Sequence, residues 1–98
     1  MRSVSISDIS NPIEIILYSD DELNNINSLK LSLQAEVSGI TTIHLTNGET
    51  TIAIQTIDAD SNSITYDADW YTEVCIVKIN PSDGLVSNLY IEYTFYGN

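Results

Sequence analysis

The sequence predicts an all-β protein, an immunoglobulin-like antiparallel β-sandwich of about seven or eight strands. It contains 15 isoleucines and 6 tyrosines, and β-branched and aromatic side chains suit a pleated sheet better than a helix. Apolar and polar residues alternate in several segments, and turn-forming residues recur about every 8–12 positions. Two sheets that close their inner faces on each other would bury this apolar surface, and a small β-barrel is the alternative architecture.

The length and the charge limit the classes of function. A chain of 98 residues fits one domain, residues 1–98, and a hydrophobic fraction of 43% argues against disorder. Fourteen acidic residues oppose only Arg2, Lys30 and Lys78, which gives a formal net charge of −11. The negative potential disfavours direct contact with nucleic acid or an anionic membrane. Solubility is the simplest role of this charge.

Cysteine content and hydropathy indicate the environment of the chain. Cys75 is the single cysteine, so no intramolecular disulfide can form, and a lone cysteine in a strand is typically a small buried hydrophobe. No apolar run is long enough for a signal peptide or a membrane span. We therefore expect a protein that is not secreted by a cleaved signal.

The first half of the chain predicts three strands. Short strands are expected at Val4–Ile9 and Ile13–Tyr18. The segment SDDELNNINS, Ser19–Ser28, is rich in acids and asparagines and could form a loop or one helical turn capped by Ser19 or Asp20. A loop is the preferred interpretation. The next segment, SLKLSLQAEV at 28–37, alternates strictly between apolar and polar residues, which predicts a half-buried strand.

Two hairpins are predicted in the second half, on either side of a short strand at Ser63–Tyr66. In IHLTNGETTIAIQ, the Asn-Gly pair at 47–48 suits a tight type I′ turn, with Ile43 and Leu45 facing Ile52 and Ile54. The segment NPSDG at 80–84 predicts the turn of the second hairpin.

The second hairpin is predicted to join Trp70–Ile79 to Leu85–Tyr96. A four-residue loop places Trp70 and Val74 opposite Phe95 and Ile91 on the core face. Apolar residues nevertheless occur at both parities of WYTEVCIVKI, so the opposite face should be apolar too. The residues expected to project outward there are Tyr71, Cys75, Val77, Ile79, Val86, Tyr90 and Tyr96.

Such an outward patch predicts a protein-protein interface. Monomers seldom expose more than about 300–600 Å² of contiguous apolar surface, and tyrosine-rich surfaces with few charges are typical of interface cores. Two alternatives stay open at this point. The segment Ile13–Tyr18 could cover the patch, or the register could differ by one residue.

The segment DADSNSITYDAD, residues 58–69, resembles a calcium loop only in part. Asp58, Asp60, Asn62 and Asp69 occupy the first, third, fifth and twelfth positions. Ser63 stands where the turn needs glycine, and aspartate replaces the bidentate glutamate. An ordinary acidic loop is the preferred interpretation, with no metal and no cofactor expected.

No catalytic constellation is visible. A nucleophile needs a positioned base and an orienting group. His44 is the only histidine, and it lies on a predicted strand other than that of Cys75. We therefore expect a protein that is not an enzyme.

The order of three segments resembles a known family. These are SLKLSLQAEV, the acidic turn with SNSITYDADW, and YTEVCIVKINPSDGLVSNLYIEYTF, which together span residues 28–96. They are similar to the immunoglobulin-like adaptor domains of tailed-phage virions, especially the N-terminal domain of baseplate upper proteins. The family's downstream receptor-binding or trimerising region is missing, so a free-standing adaptor or decoration subunit is expected.

The resemblance implies a structural virion protein of the tail, baseplate, neck or head, assembled in the host cytoplasm in many copies. Its partners would be other virion proteins and copies of itself. One alternative is an acidic inhibitor of a host nucleic-acid-binding defence enzyme. A second is a calcium- or carbohydrate-binding module that uses the 58–69 loop and exposed tyrosines. The acids cluster in the predicted loops at 20–22 and 58–69 instead of following one face, which favours assembly.

Overall fold

Eight antiparallel strands form the whole regular structure of the described chain. A computed structural model describes residues 2–20, 22–82 and 84–97. The strands are β1 Arg2–Ile9, β2 Ile13–Tyr18, β3 Ile26–Ser38, β4 Thr41–Thr46, β5 Thr51–Ile57, β6 Ser63–Asp69, β7 Val74–Pro81 and β8 Leu85–Gly97. No helix among these residues is long and apolar enough to cross a membrane.

The strands form two four-stranded sheets that pack face to face. The first sheet has the order β1-β8-β3-β6, and the second has the order β2-β7-β4-β5. The predicted all-β sandwich with eight strands is therefore confirmed. Every connection except β4–β5 crosses from one sheet to the other, so successive strands alternate between the two layers.

The strand pairing is nested. β1 pairs with β8, β2 with β7, β3 with β6 and β4 with β5. The chain thus behaves as one long hairpin that is folded over twice, which is the connectivity of an eight-stranded jelly roll. This order differs from the immunoglobulin arrangement, in which sheets of four and three strands follow another sequence of pairing.

The core fills the space between the sheets. Leu29, Leu31 and Leu33 of β3 are almost completely buried, which confirms the strand predicted from their alternation. Across the first sheet, Tyr93 and Phe95 of β8 are buried and meet edge to face, with ring centroids 6.1 Å apart. Aromatic pairs favour this geometry.

The predicted β4–β5 hairpin is confirmed, but its turn is wider than the two-residue turn that was predicted. The loop spans residues 47–50, and the Asn47 side-chain oxygen accepts hydrogen bonds from the amides of Glu49 and Thr50, each 2.9 Å long. Gly48 adopts a φ of +100°. The asparagine side chain therefore stabilises a four-residue loop, and only the glycine takes the left-handed conformation.

A bulge changes which residues of this hairpin share a face. Leu45 lies opposite Ala53, whereas Thr46 lies opposite Thr51, so Ile52 has no partner in β4. The prediction that Ile52 and Ile54 face the buried side chains of β4 is wrong. Both isoleucines are exposed, at 45% and 61% respectively.

The predicted second hairpin is wrong. β7 pairs with β2 and β4 in the second sheet, whereas β8 pairs with β1 and β3 in the first. The predicted turn at 80–84 includes Asp83, which lies outside the described residues. Asn80 and Pro81 belong to β7, and the chain passes between the sheets after them.

Candidate interaction surfaces

Four residues of the predicted outward patch lie in the core. Cys75, Val77, Ile79 and Val86 are at most 1% exposed. The prediction failed because it assumed that the alternation of inward and outward residues continues unbroken from Trp70 into β7. Trp70 precedes β7, and the bend at residues 72–73 resets the alternation, so the odd-numbered positions of β7 point inward.

The three tyrosines of that prediction are separated from one another. Tyr90 and Tyr96 lie on β8, where they alternate with buried residues and so belong to the outer side of the first sheet. Tyr71 follows β6 and is 72% exposed. The seven predicted residues therefore do not form one surface, although the expectation of a second apolar face on β7 points to a real feature.

That feature is the outer side of the second sheet. Ile16 of β2 lies opposite Ile76 of β7, and Tyr18 lies opposite Val74. Ile54 of the edge strand β5 projects on the same side, opposite His44. We call this set the isoleucine face, and its residues are Ile16, Tyr18, Ile54, Val74 and Ile76.

The isoleucine face is substantially exposed. Ile16 is 48% exposed, Tyr18 55% and Ile54 61%, while Val74 and Ile76 are half-buried. Ile54 lies two strands from β7, in the row that His44 and Lys78 continue. The loop after β4 flanks the face, since a side-chain carbon added at Gly48 would lie 3.9 Å from the Ile76 Cδ1 atom. No described segment covers the exposed isoleucines.

The strands that form this face carry no net charge. The four strands of the second sheet contain only two charged residues, Glu14 and Lys78, which lie opposite each other with their Nζ and Oε1 atoms 3.6 Å apart. Every other acidic residue that the structure describes lies on the first sheet or in a loop. An apolar face without net charge on a chain of net charge −11 is therefore a local exception.

A shallow depression adjoins this face. It has a volume of about 490 Å³ and is lined by Pro12, Ile13, Glu14, His44, Lys78, Ile79 and Asn80. The Glu14–Lys78 pair crosses it, and His44 lies on the strand next to Lys78. These residues are the polar margin of the isoleucine face.

A second concavity lies at the opposite edge of the sheet, where β5 of the second sheet meets β6 of the first. We call it the aromatic groove, and it has a volume of about 490 Å³. Its lining residues are Asn47, Ile52, Tyr66, Ala68, Asp69, Trp70, Tyr71 and Thr72.

Internal hydrogen bonds hold the aromatic groove in shape. The Tyr66 hydroxyl donates to the Asp69 carbonyl oxygen over 2.7 Å, and the Tyr66 ring meets Trp70 edge to face at 5.8 Å. Partial burial, followed by the charge of Asp69, raises the pKa of Tyr66. Hydrogen bonding to the Asp69 carboxylate, and then its charge, raises the pKa of Tyr71.

The acidic segment 58–69 does not form a calcium loop. The Asp58 carboxylate accepts hydrogen bonds from the amides of Asp60 and Ser61, so it stabilises its own turn. Asp69 lies at the far end of β6, and a strand of 7 residues spans about 20 Å. Asp58 and Asp69 therefore cannot bind one ion together.

The single cysteine and the single histidine of the sequence lie on opposite sides of the second sheet. Cys75 points into the core from β7, whereas His44 projects on the outer side of the same sheet. Burial raises the pKa of the Cys75 thiol to about 12, so it is not a thiolate at neutral pH. No chemistry that needs both groups can occur with this arrangement.

A scan against protein-family models finds no match, and a search of curated proteins finds no relative. The fold and the two surfaces define the class of the protein, which is an acidic eight-stranded jelly roll with one exposed apolar face and one aromatic groove. This architecture occurs in viral capsid domains, lectins and cupins, so it does not by itself specify a function.

Proposed function

We propose that the protein is a non-catalytic assembly protein that binds a second copy of itself through the isoleucine face. The observation that carries the proposal is the exposure of apolar side chains on a sheet whose strands carry no net charge, in a chain of net charge −11. Burial of exposed apolar side chains provides the driving force for association.

Charge selects this side for contact between copies. Two chains of charge −11 repel each other, and like charges brought into contact cost several kcal/mol at an interface. The strands of the first sheet carry five acidic residues against two basic ones, so two copies that meet there bring carboxylates together. The acidic residues are Asp8, Glu36, Asp67, Asp69 and Glu92, and the basic ones are Arg2 and Lys30. At the margin of the isoleucine face, Glu14 is already paired with Lys78. Beside Tyr18, Asp20 is paired with Arg2, and Glu73 is a further carboxylate there.

A two-fold arrangement is consistent with these residues. In such an interface the same patch meets itself, so isoleucines pack on isoleucines. Glu14 and Lys78 at the margin carry opposite charges, so Glu14 of one copy can interact with Lys78 of the other. A symmetric dimer would thus satisfy both the apolar centre and the polar margin.

A virion is the setting that the resemblance to phage adaptor domains implies, with other virion proteins as further partners. The occurrence of jelly rolls in capsid domains supports a structural role without naming the particle. The proposal of self-association rests on the isoleucine face and does not depend on that resemblance.

Molar mass in solution tests the proposal. Light scattering after size exclusion should give a dimer that dissociates on dilution, and added salt should strengthen it by screening the repulsion. Ile16→Asp and Ile54→Asp should each give a monomer with an unchanged circular dichroism spectrum, because both side chains are exposed.

The matched control is Tyr96→Asp, which adds the same charge at a residue 46% exposed on the outer side of the first sheet. This variant should remain dimeric. A wild-type protein that is monomeric at every concentration, or a dimer that Ile16→Asp and Ile54→Asp leave intact, would disprove the proposal.

A further inference from the structure

The aromatic groove is not part of the isoleucine face and needs its own explanation. Its walls combine apolar surface from Ile52, Ala68 and the half-buried Tyr66 ring with a single carboxylate, Asp69. Small-molecule sites are typically concave and mostly apolar, with a few polar groups that fix the orientation of the ligand. The groove has this composition.

The polar groups that a neutral ligand would use are already engaged. The Tyr66 hydroxyl donates to the Asp69 carbonyl oxygen, and the Thr72 hydroxyl donates to the Val74 carbonyl oxygen over 2.8 Å. The Asn47 side-chain oxygen accepts two backbone amides. A sugar therefore finds few free hydrogen-bonding partners, whereas the Asp69 carboxylate accepts from the Tyr71 hydroxyl and has further acceptor capacity to spare.

The charge around the groove favours a cation. No lysine or arginine lines it among the described residues, and the whole chain has a net charge of −11. The Tyr71 ring is 72% exposed beside Asp69, and tyrosine rings attract cations through their electron-rich faces.

From this arrangement we propose that the aromatic groove binds an alkylammonium cation. The ammonium group lies between the Asp69 carboxylate and the Tyr71 ring, while the alkyl part packs on Ile52 and Tyr66. Quaternary and methylated ammonium groups are recognised by aromatic rings in this way. The ligand is either a free amine or a lysine side chain of a partner.

Titration by NMR tests the proposal with the intact protein. Tetramethylammonium chloride should shift the Trp70 indole signal and the amides of residues 66–72 in a saturable manner. Sodium chloride at the same ionic strength and tert-butanol, an uncharged molecule of similar shape, should not. N-acetyl-lysine methylamide and choline then distinguish a lysine side chain from a free quaternary amine by which of them binds more tightly.

Variants locate the site. Asp69→Asn should weaken binding about tenfold or more, because it removes the charged acceptor. Tyr71→Leu should weaken it about three- to fivefold, because it removes the aromatic face. Asp67→Asn is the matched control, since it makes the same change of charge on β6 at an exposed residue outside the groove.

The contrary results are equally specific. Equal shifts with tert-butanol would show an apolar pocket without cation selectivity, and equal weakening by Asp67→Asn would show attraction to the net charge only. Stronger shifts with a methyl glycoside would assign the groove to a saccharide. Each result would overturn the proposal. The monomeric Ile16→Asp variant should keep the binding, so this proposal and that of self-association can fail separately.

Discussion

The indole nitrogen of Trp70 donates a hydrogen bond of 3.0 Å to the carbonyl oxygen of Val74. This bond closes the bend between β6 and β7, where the chain passes from the first sheet to the second. The Trp70 side chain is 2% exposed, so the same residue closes one end of the core and supports the floor of the aromatic groove.

Trp70→Ala should lower the free energy of unfolding by about 3–5 kcal/mol, the usual cost of deleting a large buried aromatic side chain. Urea denaturation measures it. Tyr71→Ala, at the exposed neighbouring position, should stay within about 0.5 kcal/mol of the wild type. A loss below about 1 kcal/mol for Trp70→Ala would contradict its place in the core.

Val77→Asp should prevent stable folding. On the sequence alone, the residue was expected to project outward, where an aspartate would affect only assembly. Val77 is 0% exposed, so the substitution would bury an unpaired carboxylate at a cost of several kcal/mol. Thermal unfolding should therefore show a severe loss for Val77→Asp and almost none for Ile54→Asp, and the reverse order would refute the register of β7.

Thr41→Val should raise the free energy of unfolding by about 1 kcal/mol. The Thr41 hydroxyl is fully buried and has no hydrogen-bond partner among the described residues, so a methyl group of similar size removes a desolvation cost. Chemical denaturation measures the change, and a clear destabilisation would show that the hydroxyl has a partner.

Thr46→Val is the opposite case on the same strand. The Thr46 hydroxyl donates to the Thr50 carbonyl oxygen over 2.9 Å and accepts from the Gly48 amide over 3.1 Å. The substitution should cost about 1–2 kcal/mol, because it removes both bonds and loosens the β4–β5 loop. Equal changes in the free energy of unfolding for Thr41→Val and Thr46→Val would contradict the different hydrogen bonding of the two hydroxyls.

The Cys75 thiol should make the protein less stable in alkali. Its pKa rises from 9.0 to about 12 on burial. Between these values the unfolded chain releases the proton while the folded chain retains it, so the free energy of unfolding falls as pH rises, by up to about 1.4 kcal/mol per pH unit. Below pH 9 the thiol has no such effect.

Cys75→Ala removes this dependence, and the rest of the chain is common to both proteins, so its contribution cancels in the comparison. The stability difference between wild type and variant, measured by denaturation at a series of pH values, should therefore narrow from about pH 9 upward. Parallel curves would indicate that the thiol is hydrated in the folded state.

Gly84→Ala should destabilise the start of β8. A side-chain carbon at this position would lie 1.6 Å from the Ser38 carbonyl oxygen, so the ends of β3 and β8 must separate to admit it. We expect a loss of about 1–3 kcal/mol and faster hydrogen exchange at the amide of Leu85, which donates to the Ser38 hydroxyl. Unchanged exchange there would contradict the close approach.

The alternation of apolar and polar residues, together with the turn-forming residues, was enough to predict the strands. It was not enough to predict which strands pair with each other. β3 could be predicted because its leucines alternate without interruption, and β2 was predicted with its observed bounds. The β7–β8 hairpin was wrong because short turns favour pairing of sequence neighbours, whereas here the chain changes sheets. Neither segment contains a residue pattern that indicates the passage from one sheet to the other.

The isoleucine face was missed for a related reason. The sequence pattern indicated apolar residues on both faces of β7. The same holds for β2, IEIILY, where the exposed Ile16 and Tyr18 alternate with the buried Ile15 and Leu17, but this strand was not interpreted in that way. The two strands share a face only through pairing across the sheet. The neutrality of that face depends on the placement of Glu14 opposite Lys78, which single-strand patterns do not reveal.

The nested pairing has a consequence for biosynthesis. β8 lies inside the first sheet, between β1 and β3, yet it is the last strand of this chain to leave the ribosome. Until then β1 has no neighbour to bond with, and the leucines of β3 lack the aromatic side chains that cover them. Folding of these two sheets must therefore wait until β8 has emerged, and until then the nascent chain exposes the leucines of β3 to chaperones and to other nascent chains.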